Sequence, residues 1–177
     1  MKKYFIAMIL SSMLLSPMAM ATGSYAGLSF GQVKIDDTET GNIGIVLGDI
    51  ADNGFGFEFF YNFTVVDDDE SVSGVDVEAE TDIVSLFAVY KTPGDVYVKA
   101  KVGYALVSLK FDVDDEGSVS DTEKDFSAGI AAGMLIGDGA PELSYYRFPE
   151  FKKYEGIDID DGDGEVDMIN LSYLWTF

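Results

Sequence analysis

The chain has 177 residues, enough for one domain, and carries 11 Lys plus Arg against 32 Asp plus Glu, a formal charge of −21. That balance argues against nucleic acid as a partner, since phosphate recognition needs clustered cations. There is no Cys and no His, which removes disulfides, thiol chemistry and Cys-linked lipid, and with them the commonest general base.

The N-terminus reads as an export signal. Lys2 and Lys3 give a positive start, Tyr4 to Leu15 an apolar core, Pro17 a break, and Ala19-Met20-Ala21 an A-x-A cleavage site. Residues 1–21 are therefore expected to be removed, leaving a single domain over 22–177. No later run approaches the ~20 apolar residues of a membrane helix.

Eight segments of period two follow, the signature of strands with two different faces. Tyr25–Val33 sets Ala26, Leu28 and Phe30 against Tyr25, Gly27, Ser29 and Gly31. Gly41–Gly48 sets Ile43, Ile45 and Leu47 against Asn42, Gly44 and Val46. Phe55–Thr64 is the clearest, with Phe55, Phe57, Phe59, Tyr61 and Phe63 opposed to Gly56, Glu58, Phe60 and Asn62. Asp82–Lys91 sets Val84, Leu86, Ala88 and Tyr90 against Ile83, Ser85, Phe87 and Val89, but both faces are apolar and its phase is the least sharply marked. Val96–Leu109 places Tyr97, Lys99 and Lys101 opposite Val96, Val98 and Val102; Phe126–Ile136 places Ser127, Gly129 and Gly133 opposite Phe126, Ile130 and Met134. Glu142–Phe148 sets Leu143 and Tyr145 against Glu142, Ser144 and Tyr146. Val166–Phe177 closes the series with Ile169, Leu171, Tyr173, Trp175 and Phe177 on one face.

The connections alternate too. Asp49–Gly54, Thr92–Asp95 and Gly137–Pro141 are short and rich in turn residues. Lys34–Thr40, Val66–Thr81, Lys110–Asp125 and Pro149–Asp167 are longer, and with their flanks hold 26 of the 32 acids. The second face of the strands is built of Gly, Ser, Ala and Asn with few charges. That suits a narrow lumen filled by side chains better than a solvated exterior, where Lys and Glu would dominate. The expected fold is all-β: an eight-stranded antiparallel up-and-down transmembrane β-barrel with short periplasmic turns and long acidic extracellular loops.

Tyr25-Ala-Gly-Leu-Ser-Phe-Gly31, Tyr97-Val-Lys-Ala-Lys-Val-Gly-Tyr104 and Tyr173-Leu-Trp-Thr-Phe177 carry a resemblance to the small outer-membrane barrels typified by the OmpA transmembrane domain and OmpX. It spans the mature chain but no peptidoglycan-binding domain, so wall anchoring is not implied. The resemblance implies that Ile169, Leu171, Tyr173, Trp175 and Phe177 form an assembly signal. It also implies outer-membrane lipids, lipopolysaccharide, periplasmic chaperones and the outer-membrane assembly machinery as partners, and no cofactor.

Three groups of residues invite chemistry. Glu58, Lys99, Lys101 and Glu142 fall on the inward phase of alternate strands and are expected to form an ion-pair network centred on Glu58, because buried ions must be paired. In the OmpA family, which is similar in this respect, such a network bears on whether the barrel leaks. Asp158-Ile-Asp-Asp-Gly-Asp-Gly-Glu165 looks like a calcium loop but fails on register: with Gly164 at the glycine position, the first ligand falls on Ile159 and the last on Asn170. Looser divalent contact by Asp158, Asp160, Asp161 and Asp163 competes with a solvated acidic loop. Enzymes built on outer-membrane barrels resemble one another in using His, which is absent here. The expected function is non-enzymatic: envelope structure and presentation of acidic loops. A narrow pore or OmpW-like conduit for small molecules, and adhesion through the loops, are the alternatives.

Protein purified from bacterial envelopes is expected to begin at Thr22. Intact-mass measurement checks this, and a mass retaining residues 1–21 contradicts it.

Overall fold

The structure, a computed structural model, describes residues 23–35, 38–66, 70–72, 75–113, 117–149, 153–154, 157–158 and 165–177. The expected signal peptide and its cleavage point lie outside them. Eight strands build the fold: β1 (Ser24–Ile35), β2 (Thr38–Ile50), β3 (Phe55–Val66), β4 (Val75–Lys91), β5 (Val96–Val113), β6 (Gly117–Met134), β7 (Gly139–Phe148) and β8 (Val166–Thr176). Each pairs antiparallel with its sequence neighbours. The sheet closes where β1 meets β8, from Tyr25↔Thr176 to Ile35↔Val166. Phe55↔Tyr90 begins the β3–β4 seam. No barrel strand is left with an unpaired side along its whole length, which is the condition for a sheet to cross a bilayer.

Side chains divide by phase as the period-two pattern predicts. Phe57 is 67% exposed and its neighbour Glu58 0%; Leu86 is 59% exposed and Phe87 0%. The second pair bears out the faces expected for the fourth segment, with Ile83, Ser85, Phe87 and Val89 inside. The exposed apolar face is the lipid-facing band. Near the short turns it carries Phe55 against Tyr90, ring centroids 4.9 Å apart, and Tyr173 against Trp175 at 5.0 Å. Phe63, Tyr104, Phe126 and Tyr145 lie toward the other end. Amphipathic rings at both edges match the aromatic girdles of membrane barrels. Beyond that upper ring the outward positions turn charged, as in the Lys110–Glu80 pair at 3.3 Å and the Arg147–Glu165 pair.

The short turns depend on backbone that only glycine adopts freely. Gly54 has φ +85°, and a Cβ there would lie 2.5 Å from the Lys91 carbonyl oxygen. At the opposite end the strands outrun expectation. β4 begins at Val75 rather than Asp82, β5 continues to Val113 rather than Leu109, and β6 starts at Gly117 rather than Phe126. Much of the second and third long connections is therefore β-ribbon rather than loop. Above the membrane both faces meet water, so the alternation that marks a strand fades. The hydrogen-bonded ladder simply continues from below, through Glu80↔Lys110 and Asp112↔Ser118. The first long connection also shrinks, with β1 reaching Ile35 and β2 resuming at Thr38. β7 starts at Gly139, three residues before the expected Glu142, and accommodates Pro141 near its beginning, where a missing N–H is tolerated.

Val102, outward and central in the membrane span of β5, gives a direct test. Val102→Arg is expected to cost about 2–4 kcal/mol in urea unfolding from lipid vesicles, and Ser108→Arg, at the upper edge, about 0–1 kcal/mol. Equal costs at the two depths contradict the placement.

Candidate functional site: an ion-paired lumen

The lumen is layered along the barrel axis. In the half nearer the short turns lies a quadrangle of charge. Lys101 Nζ lies 2.6 Å from Glu58 Oε1 and 3.1 Å from Glu142 Oε1; Lys99 Nζ lies 2.8 Å from Glu142 Oε2 and 3.4 Å from Glu58 Oε2. All four residues are shut off from solvent. The alternation brings them together: β3, β5 and β7 run in the same direction, and their inward side chains reach toward one axis. The arrangement is shared by both carboxylates rather than centred on Glu58 alone.

Three tyrosines complete the shell. Tyr25 Oη donates to Glu58 Oε2 at 2.6 Å, and Tyr97 Oη donates to Glu142 Oε2 at 3.1 Å. Lys101 Nζ donates to Tyr146 Oη at 2.7 Å. Ser144 Oγ donates to Glu142 Oε1 at 3.3 Å. The lysine ammoniums also lie over rings, Lys99 at 4.2 Å from Tyr25 and Lys101 at 4.9 Å from Tyr146. Charge-assisted hydrogen bonds and cation–π contacts offset a desolvation cost that would otherwise make two buried ion pairs expensive.

Glycine makes room for these rings. Tyr25 stands directly across from Gly48, Tyr97 from Gly133, and Tyr146 from Gly129. A Cβ on Gly133 would lie 2.5 Å from the Tyr97 Cζ, and one on Gly129 2.7 Å from the Tyr146 Cδ1. The Gly-rich second face is thus the complement of the lumen tyrosines. Next comes an aromatic layer: Tyr146 stacks on Phe60 at 5.1 Å and on Phe148 at 5.6 Å, and meets Phe87 at 5.6 Å. Above lie Asn42, Asn62 and Asn170, then apolar Val33, Val107, Val166 and Met168, all buried.

Sequence reasoning missed the tyrosine shell and the aromatic layer. Tyr25, Tyr97 and Tyr146 were on the inward phase, but which glycine and which ion each meets depends on register. Ile169, Leu171, Tyr173, Trp175 and Phe177, expected from the sequence to form an assembly signal, all face outward, between 41% and 60% exposed on β8 and 63% at Phe177. Of the acidic run, Asp160, Asp161 and Asp163 lie outside the described residues; the Asp158 backbone pairs with Lys153 in a two-residue ribbon.

A closed eight-stranded tube with an apolar exterior and an ion-paired interior defines a β-barrel membrane protein. The chain belongs to the outer membrane protein beta-barrel domain family, whose model matches residues 5–177. It is accordingly a protein of the bacterial outer membrane. No curated protein matches its sequence. Among solved structures it is similar to Ail of Yersinia pestis in complex with the heparin analogue sucrose octasulfate, with TM-score 0.59 and 17% identity over 88% of this chain and 97% of that one. The N-terminal β-barrel domain of Pseudomonas aeruginosa OprF matches with TM-score 0.58 and 10% identity, over 86% and 97% of the two chains. Neisserial surface protein A matches with TM-score 0.52 and 14% identity, over 87% and 96%. At these identities the likeness is one of fold.

Lys101 touches both carboxylates, so Lys101→Met leaves two buried anions sharing one cation. It is expected to cost about 3–5 kcal/mol of unfolding free energy in vesicles. The double variant Glu58→Gln/Lys101→Met is expected to cost clearly less than the sum of its single variants. Additivity contradicts a shared network.

Proposed function

We propose that the protein is a sealed, non-enzymatic outer-membrane barrel that stabilises the envelope and presents an acidic surface outside the cell. The observation that carries this reading is the Glu58–Lys101–Glu142–Lys99 quadrangle lying under the Phe60–Tyr146–Phe148 stack. Charge is matched two against two, and rings fill the cross-section above it. Catalysis has little support. The chain has no His, and Lys99 and Lys101, the lysines at the barrel axis, are each engaged by two carboxylates.

The surface reading rests on charge. The extracellular segments concentrate most of the 32 acids in a chain with only 11 basic residues. Ail is described with a polysulfated sugar analogue; a polyanion would be repelled by this chain's outer segments. Divalent cations bridging these carboxylates to lipopolysaccharide phosphates fit the charge instead.

Planar-bilayer recording tests the seal. Wild type is expected to show no steady conductance, and Glu58→Ala to remain closed because the tyrosines and the aromatic stack still fill the tube. Discrete openings in Glu58→Ala would overturn the plug and favour a gated pore.

A further inference from the structure

Below the ion quadrangle the lumen opens at the short-turn end into a cavity of about 480 Å³. That lies within the roughly 300–1,000 Å³ typical of small-molecule sites. Its walls include Tyr25, Tyr97, Ile50, Leu135 and Leu174, and Lys99 forms part of its floor. One wall residue has no structural explanation so far. Lys91, the last residue of β4, sits on the inward phase of its strand and stands directly opposite Lys99 on β5.

Two lysines facing each other across a ladder repel. Lys99 escapes by reaching inward to the carboxylates. Lys91 does not: it forms no ion pair with a described residue, and its ammonium rests 4.5 Å from the Tyr97 ring centroid. That ring is itself fixed by the bond to Glu142. The inward-facing charges of this half are therefore Lys91, Lys99 and Lys101 against Glu58 and Glu142, a surplus of one positive charge. It occurs in a chain whose overall charge is −21. Two further acids lie near, Asp52 bordering the cavity on the β2–β3 turn and Asp95 on the β4–β5 turn, where it attracts Lys91; both are exposed, so solvent and salt screen them. Lys91 therefore offers a partly exposed ammonium at the edge of an apolar-walled cavity.

We propose that this vestibule is a binding site for a small organic monoanion, a carboxylate on an apolar or aromatic body, entering from the periplasmic side. Lys91 Nζ has three donors and is the anchor for the carboxylate. The apolar body lies along Leu135, Leu174 and the tyrosine rings. The site shares Lys99, Tyr25 and Tyr97 with the seal above it, but its anchor Lys91 forms none of the ion pairs there, so loss of binding in a Lys91 variant leaves the plug intact, and an open pore would show as conductance rather than as binding.

The test uses the mature barrel refolded in a nonionic maltoside detergent, with benzoate as probe and benzyl alcohol as its neutral counterpart. Binding is read by calorimetry and by the near-ultraviolet dichroism of the vestibule tyrosines. The expected result is saturable one-site binding of benzoate, weakened about tenfold or more in Lys91→Gln, retained in Lys91→Arg, and about tenfold or more weaker for benzyl alcohol. Heat-modifiable gel mobility of each variant verifies that the barrel has formed. No saturable benzoate binding, equal affinity in Lys91→Gln, or equal affinity for benzyl alcohol overturns the proposal.

Discussion

Inside a bilayer a peptide N–H or C=O without a protein partner has no water to turn to, at a cost of several kcal/mol for each group. For a chain of strands this constraint has one solution, which is to close the sheet on itself. The pairing of β1 with β8 supplies that closure here, and much else follows from it. Once the tube is closed, every strand has one face toward lipid and one toward a lumen only wide enough for side chains. The sequence must then be apolar at every second residue through the span and small or mutually satisfied at the others.

The lumen shows how that second demand is met. An eight-stranded tube cannot be filled with large apolar residues on every strand, because facing rings would collide. Tyrosines on β1, β5 and β7 are instead set against glycines on β2 and β6, and their hydroxyls reach the ions at the axis. Four ionisable residues are permitted there because they compensate one another and each has further polar or aromatic neighbours. Among the described residues, the inward lysine outside that compensation, Lys91, stands at the open end, beside a cavity.

The membrane-spanning part of each strand was legible in the sequence because two solvents write the pattern: lipid on one side, a crowded lumen on the other. Where the strands rise into water the pattern disappears, and Val75–Thr81 and Lys110–Asp125 read as loops although most of their residues continue the ladder. The identities of Glu58, Lys99, Lys101 and Glu142 as inward residues came from phase alone. Their mutual contacts could not, since these depend on β4 and β6 fixing the stagger between β3, β5 and β7. Tyr25, Tyr97 and Tyr146 were hidden for the same reason: a Gly-rich face and a set of tyrosines are visible in sequence, but their opposition is a matter of register. Lys91 carries no such signal, because it ends a segment that is apolar on both faces and so marks its phase weakly.

The central claim is that neighbouring residues of one strand live in different media. The absence of native cysteine makes this directly measurable. Single cysteines placed in turn at Phe57, Phe59, Phe60, Tyr61, Asn62 and Phe63 can carry nitroxide labels in the refolded barrel in lipid vesicles. The account predicts that labels at Phe57, Phe59, Tyr61 and Phe63 collide readily with dissolved oxygen, while those at Phe60 and Asn62 are shielded from both oxygen and a water-soluble relaxant. Uniform accessibility along β3, or a maximum for the water-soluble relaxant at the odd positions, would contradict it.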